Sequence, residues 1–383
     1  MRITLVIAGL GGGGAERVCI NLANAWAARG HEATVLTISQ NNRAPAYPID
    51  QRVERCDLGC PRSATADELD PVAVAPVLRL FDTARCPQLI RDLPTIAMLR
   101  RGILATRPDV VVSLIDRTNV RVLAAMAETG VPVVASEHTD ARRISLGQWQ
   151  GAREELYRHA AAVVAPDPSI ANWLAAKGAN AWAIPNALIA PPRLEHRFKN
   201  GRRYVVTLSR LSAEKRPEFL IRSFASIAPK SPEWDLEIYG DGPQRNTLEH
   251  LVEKLAPNRI HFRGFTTEPN VVLANADLFV SASRIEGFGN AIWEALACGV
   301  PVVAMDAGPP VRTLVRDGVD GVIVTNQTMA ALADALAGLM SDETRRRAYA
   351  SRAPEVVERF PFESALEQWD KLFRAISLSY SAK

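Results

Sequence analysis

Short apolar runs alternate with amphipathic stretches of helical length along the whole chain, and this alternation limits the fold more than any other feature. Residues 3–7, 33–38, 109–113, 131–135, 162–165 and 181–184 read as strands in the first half. Residues 204–208, 234–239, 260–262, 276–282, 302–305 and 321–324 do so in the second. Runs this apolar on both faces belong to parallel strands covered by helices on each side. A polar, proline-containing break at residues 190–201 separates the two series and has the composition of a linker. The expected organisation is α/β, with two doubly wound domains at residues 1–188 and 203–361 joined by a linker at 189–202. A final amphipathic helix, residues 362–383, carries Leu366, Trp369, Leu372, Phe373 and Ile376 on one face and needs a surface to bury that face. Ligands of doubly wound sheets bind at the carboxyl ends of the strands, so a cleft between the domains is the expected site. Residues 41–99 break the pattern. They are rich in proline and arginine, with one strand expected near residues 52–58 and a long loop or helical excursion; such a segment suits substrate contact or a membrane-facing surface, but reads first as an ordinary variable insertion.

Charge and composition exclude several classes. A net charge of +3 on 383 residues is too small for a dedicated nucleic-acid binder. Only seven of the basic residues are lysines, so a lysine at a strand end says more than an arginine does. The five cysteines are scattered, with no C-x-x-C pair, and read as reduced thiols of a cytoplasmic protein. The N-terminus enters a strand directly, without the charged and apolar regions of a signal peptide. No apolar run approaches the ~20 residues that span a bilayer. Peripheral contact with the inner face of the plasma membrane stays open, through Arg100, Arg101, Arg142, Arg143 and the apolar residues 78–81, although arginines like these are equally ordinary solvated ones.

The residues suited to chemistry cluster after strands. Gly9, Gly11 and Gly14 satisfy the dinucleotide spacing, but the second strand ends in Ser39 and Gln40 where an acid for the adenosine ribose belongs, which argues against NAD. In the second half the strand ending at Ala282 leads into Glu286, Gly287, Phe288, Gly289 and Asn290, then a helix carrying Glu294. Asn290 is expected to cap that helix, and the glycines let backbone amides approach an anion. Arg210 and Lys215 follow Ser209 at another strand end, where paired cations meet a diphosphate as readily as they line a solvated turn. His138 follows Ser136 and Glu137, where it could hydrogen-bond a hydroxyl or phosphate, though a lone loop histidine is more often structural. Ser113, Asp116 and Asn119 close a further strand of the same sheet, Asn119 as a ligand contact or a helix cap. There is no histidine cluster, no D-x-D at a strand end, no nucleophile elbow and no P-loop, so neither a metal nor a cofactor is expected.

Taken in order, these pieces resemble the retaining glycosyltransferases of family 4, with the GT-B fold of two facing Rossmann-like domains. The match runs through Gly13, Gly14, Ala15, Glu16 and Arg17, then Ser136 to His138, Ser209 to Lys215, Gly240 to Pro243, and Glu286 to Glu294. The last pair has the spacing of the family's E-x7-E motif. The resemblance implies that Glu294 binds the nucleotide ribose, and that Glu286 with the amides of Gly287, Phe288, Gly289 and Asn290 holds the donor sugar. Ser209 and Gly264 join the donor-binding set. Arg210 and Lys215 would hold the diphosphate and stabilise the leaving group, and His138 would face the sugar. Gly11, Gly12, Gly13 and Gly14, with Glu16 and Asn119, would approach the diphosphate or the acceptor. Retention would follow from front-face attack without a covalent role for Glu286. Thr313 stands where many relatives have a glutamate, which puts one donor contact in question. The implied donor is a UDP-hexose or UDP-N-acetylhexosamine, and the implied acceptor a glycan or lipid-linked glycan of a bacterial surface polysaccharide. A GT-B inverting transferase or epimerase, and a non-catalytic nucleotide-sugar binder, are the rival readings.

Overall fold

The computed structural model describes residues 1–40, 43–59, 75, 79, 87–192 and 201–381. The chain divides into two compact units, Met1–Leu188 with Glu363–Lys383, and Ile189–Phe362.

In the first unit seven strands form one parallel sheet. They are β1 (Arg2–Ile7), β2 (Glu32–Thr37), β3 (Glu54–Asp57), β4 (Val110–Leu114), β5 (Val133–Ser136), β6 (Ala162–Ala165) and β7 (Ala181–Ala183). Their order, β3-β2-β1-β4-β5-β6-β7, is that of a doubly wound sheet whose direction of winding reverses beside β1. Leu5 of β1 lies opposite Val35 of β2 and Val112 of β4, all three essentially inaccessible to solvent. The helix Gly14–Ala28 buries Trp26 against Trp369 and Phe373 of the last helix, Phe362–Ser381, at ring separations of 5.6 and 5.2 Å. Arg29 bridges Asp370 and Glu363 on that helix, at 2.6 Å each. The apolar face expected of the terminal segment is therefore spent inside the first unit.

The second unit repeats the plan with six parallel strands. These are β8 (Arg203–Leu208), β9 (Trp234–Tyr239), β10 (Ile260–Gly264), β11 (Leu278–Ser281), β12 (Val302–Met305) and β13 (Gly321–Val324), in the order β10-β9-β8-β11-β12-β13. Phe224, Trp234, Leu236, Val280 and Leu336 centre its core. Charge is buried here too. Asp235 of β9 sits beneath Arg259 at 2.9 Å and Arg202, an arrangement that leaves neither the carboxylate nor the strand end unpaired.

Among the described residues, and outside the segment 41–99, four helices go beyond the periodicity reading: Pro269–Ala274, Pro309–Leu314, Glu343–Arg352 and Val356–Arg359. Asn290 does not cap its helix. It is the first helical residue, and the cap is Gly289, in the left-handed region at φ +100°. Of the arginines expected at a membrane surface, Arg100 donates to the carbonyls of Ala125 and Ala127 at 2.8 Å, and Arg142 is paired with the buried Asp140 at 2.8 Å. Both are structural cations. Leu78, Leu80 and Phe81 lie outside the described residues. Among the described residues no helix is long and apolar enough to cross a membrane.

Candidate active site

The strongest constellation lies in the second unit, at the carboxyl ends of β8, β9, β10 and β11. Chain reversal after β9 uses Gly240 at φ +133°, where an added Cβ would stand 1.9 Å from the Ser209 carbonyl oxygen. No side chain fits there. The close approach stacks the turn after β9 on the segment leaving β8, with Ser209 N–H donating to Tyr239 O at 3.0 Å and Leu211 N–H to Asp241 O at 3.0 Å. Gly240 N–H in turn donates to Gly264 O at 2.8 Å, so Ser209, Gly240 and Gly264 form a continuous strip of backbone.

After that strip the chain turns through Ala213–Lys215 and brings Lys215 onto Glu286, Nζ to Oε1 at 2.6 Å. The two side chains are only 25% and 13% exposed, so each neutralises the other in a partly desolvated setting. A backbone bond from Arg284 N–H to Glu214 O at 2.9 Å ties the same two segments together. Arg210, by contrast, is exposed, and its guanidinium bonds to no described residue. One cation held in an ion pair with Glu286, and one exposed cation near the Glu214 carboxylate, thus flank one strand end.

The loop after β11 contributes less freely than its sequence suggests. Gly287, Phe288 and Gly289 are buried, and the Phe288 ring packs edge-on against Phe360 at 5.7 Å. Phe288 is a packing residue that fixes the loop. Asn290 is half-buried and Glu294 is 8% exposed, one turn into the helix Asn290–Ala297. Burial, with Glu294 nearby, pushes the Cys298 thiol up to about 12, which keeps it protonated and inert. Thr313 donates to Pro309 O at 2.9 Å within the helix Pro309–Leu314, and its carbonyl accepts from Arg359 at 3.1 Å.

In the first unit the glycine loop opens the helix Gly14–Ala28, with Gly13 as its cap. Glu16 folds back over it, so that a Cβ at Gly13 would stand 2.2 Å from Glu16 Oε2. Tyr47 Oη donates to Gly12 O at 2.9 Å, and Arg17 lies over the Tyr47 ring at 4.4 Å. Gln40, standing where a dinucleotide fold needs its acid, accepts from Leu10 N–H at 2.6 Å and donates its own N–H to Asp57 Oδ1 at 3.0 Å. That position is committed to bracing the loop. The contacts of Gln40 and Tyr47 were not legible from motif spacing.

His138, just beyond β5, is half-buried, with Nε2 3.3 Å from Ser136 Oγ and Nδ1 enclosed without a partner among the described residues. Burial lowers it to about 4, so the ring is neutral at physiological pH. Asn119 is placed differently from its sequence expectation. It is fully buried, donating to Ser136 O at 3.0 Å and to Tyr157 Oη at 3.2 Å, and so supports the end of β5; it does not cap its helix, whose cap is Ile115. Ser113 is likewise fully buried. Among the described residues no three His, Cys, Asp or Glu side chains converge as a metal site would require.

Two parallel Rossmann-like units with loops rebuilt at their strand ends define the GT-B class, and comparison with known proteins places the chain within it. The family model "Glycosyltransferase Family 4" matches residues 12–188 and "Glycosyl transferases group 1" matches residues 193–356. The chain belongs to the family 4 type of glycosyltransferases. It is 34% identical over 193 residues to an exopolysaccharide phosphotransferase of Streptomyces coelicolor, covering 50% of this chain and 20% of that protein. It is 23% identical to the GalNAc-alpha-(1->4)-GalNAc-alpha-(1->3)-diNAcBac-PP-undecaprenol alpha-1,4-N-acetyl-D-galactosaminyltransferase of Campylobacter jejuni, over 98% of this chain and 99% of that one. Among solved structures, a mutant of S. aureus TarM in complex with fondaparinux, alpha-GlcNAc-glycerol and UDP matches with a TM-score of 0.79 and 14% identity, over 97% of this chain and 100% of that one. That last likeness is one of fold.

Proposed function

We propose that the protein is a retaining glycosyltransferase. It moves a hexose or N-acetylhexosamine from a UDP-sugar to a glycan or lipid-linked acceptor of a bacterial surface glycan. The observation that carries the reading is the Lys215–Glu286 pair at 2.6 Å, which brings a lysine and a carboxylate from segments far apart in sequence to one strand-end platform. A diphosphate offers Lys215 an alternative partner, and its arrival frees Glu286 to accept from sugar hydroxyls. Arg210 supplies the second cation, and charge developing on the leaving UDP is met by the pair of them. Glu294 takes the ribose hydroxyls. His138, neutral at physiological pH, serves as a hydrogen-bonding group toward the sugar rather than as a cation. The glycine loop and Glu16 belong to the acceptor side.

The choice of UDP draws support from the complex of the similarly folded S. aureus protein with UDP, and the lipid-linked acceptor from the name of the Campylobacter jejuni relative. Titration calorimetry with UDP and GDP is the direct test. Lys215→Ala and Glu294→Ala should each weaken UDP binding at least about tenfold, the loss of one charge-assisted hydrogen bond. Unchanged binding in both variants would refute the site. The anomeric configuration of the product, read by NMR, decides retention against inversion, and turnover unaffected by a chelator is expected of a metal-independent enzyme. Recruitment to the inner face of the plasma membrane, resting now on Arg101, is tested by co-sedimentation with anionic vesicles at low salt.

A further inference from the structure

One buried acid is left unused by the donor site. Glu137, between Ser136 and His138, is 1% exposed. Its backbone N–H donates to Val164 O of β6 at 2.8 Å, and its carboxyl lies among groups from two helices. From the helix Gln150–His159, Tyr157 donates its hydroxyl to Glu137 Oε1, and the Arg153 guanidinium is near enough to act on the charge. The helix Asp116–Ala125 places Asn119 against Tyr157, with the Asp116 carboxylate facing the same region. Within its own segment, Thr139 Oγ1 lies 3.5 Å from Glu137 Oε2, and His138 follows directly.

The direction of donation along this chain is fixed. Asn119 Nδ2 has two hydrogens, and both are used, one on Ser136 O at 3.0 Å and one on Tyr157 Oη at 3.2 Å. Tyr157 therefore accepts from Asn119 and gives its only proton to Glu137 Oε1. Oε1 is an acceptor in either charge state, so a proton taken up by Glu137 goes to Oε2. Thr139 donates to Oε2 when the carboxyl is ionised. When it is neutral, Oε2–H donates to Thr139 Oγ1, and the threonine proton must turn elsewhere.

We propose that Glu137 is a positioning residue: with Tyr157 and Asn119 it holds the segment carrying His138, and gain or loss of its Oε2 proton resets the orientation of Thr139 and the placement of the His138 ring. The inference rests on the transferase reading only for its bearing on catalysis, since the relay itself exists without substrate. Burial raises Glu137 to about 7, against the opposing influence of the Tyr157 bond and Arg153, so the exchange falls within the physiological range. His138, held at about 4 by burial, does not itself titrate there.

That separation makes the relay observable. The protein has six histidines, and the His138 imidazole Cε1–H signal is the one lost in His138→Asn. In the wild-type protein this signal is expected to move in a single step centred near neutral pH. The step should vanish in Glu137→Gln. In Tyr157→Phe it should shift to higher pH, because the bond that favours the carboxylate is gone. Absence of a step in the wild type, a step that persists in Glu137→Gln, or an unmoved midpoint in Tyr157→Phe would each overturn the proposal. If Glu137→Gln fails to fold, the Tyr157→Phe midpoint decides alone. Turnover of a UDP-sugar by the same samples judges the transferase reading separately, because the imidazole titration needs no substrate.

Discussion

Replacing Glu137 by glutamine isolates the free energy of one buried carboxyl. In the unfolded chain this glutamate ionises near 4.5, whereas burial raises it to about 7 in the folded protein. Below pH 4.5 both states hold the proton, and the full stabilising difference is present. Between 4.5 and 7 the unfolded chain has released its proton while the folded one keeps it, so stability falls as pH rises, and the loss levels off above 7. The interval spans about two and a half pH units. At 1.36 kcal/mol per unit the stability lost is about 3 kcal/mol. Glutamine keeps the acceptor for Tyr157 and the shape of the neutral acid, but has no proton to lose. The variant should therefore gain about 3 kcal/mol relative to wild type between pH 4.5 and 8. For a unit of this size that corresponds to roughly 6–12 °C in melting temperature. Paired calorimetric scans across that range measure it, since the other titrating groups are common to both proteins. A constant difference between the two melting curves across the range would refute the assignment of a protonated, buried Glu137.

The remaining predictions concern packing. Gly240→Ala places a methyl group within 1.9 Å of the Ser209 carbonyl at a φ of +133°, and should destabilise the second unit by at least about 2 kcal/mol, read as an earlier calorimetric transition. Trp369→Ala removes an indole that is 2% exposed and stacked edge-on against Trp26, and should cost the first unit about 3–5 kcal/mol. Hydrogen exchange should then locate the loss in the helices Gly14–Ala28 and Phe362–Ser381.

The strands were legible because burial on both faces writes itself as an apolar run. Four of them, residues 162–165, 234–239, 302–305 and 321–324, match the sequence reading residue for residue. Helices were legible only where carbon faces the core. Glu343–Arg352 escaped because it buries only Tyr349 and an arginine: Arg346 is 5% exposed, donates to the carbonyls of Leu339 and Met340, and lies over the Trp234 ring at 4.9 Å. Hydrophobic periodicity is blind to such a residue. The cap at residue 290 was misplaced for a related reason, since a left-handed glycine ends the loop before asparagine is needed. Of the candidate site, the residue types and order could be read, and so could Lys215 and Glu286 individually. Their pairing could not, nor could the burial of Asn119, because both depend on which segments the two sheets bring together.

The pairing bears on how the proposed donor site would be built. Lys215 and Glu286 belong to loops after β8 and β11, neighbouring strands in the sheet, and the backbone bond from Arg284 to Glu214 joins those loops independently of either side chain. The platform therefore persists when the ion pair opens. On the transferase reading proposed above, a diphosphate would draw Lys215 away without dismantling the loops, and Glu286 would then be released as an acceptor in a partly buried setting, where an unpaired carboxylate is costly and a sugar hydroxyl is a welcome donor. Ligand and protein would then exchange partners at fixed backbone. On the proposed transferase reading, selectivity for a nucleotide sugar over a bare nucleotide would come from Glu286: UDP alone would open the pair and leave the carboxylate unsatisfied, whereas UDP-sugar would open it and supply the replacement. The wild-type protein should prefer UDP-sugar to UDP, and Glu286→Gln, which has no charge to leave stranded, should narrow that preference by strengthening UDP binding. Calorimetry of both ligands against both proteins measures the effect, and a preference unchanged by the substitution would show that the sugar is held elsewhere.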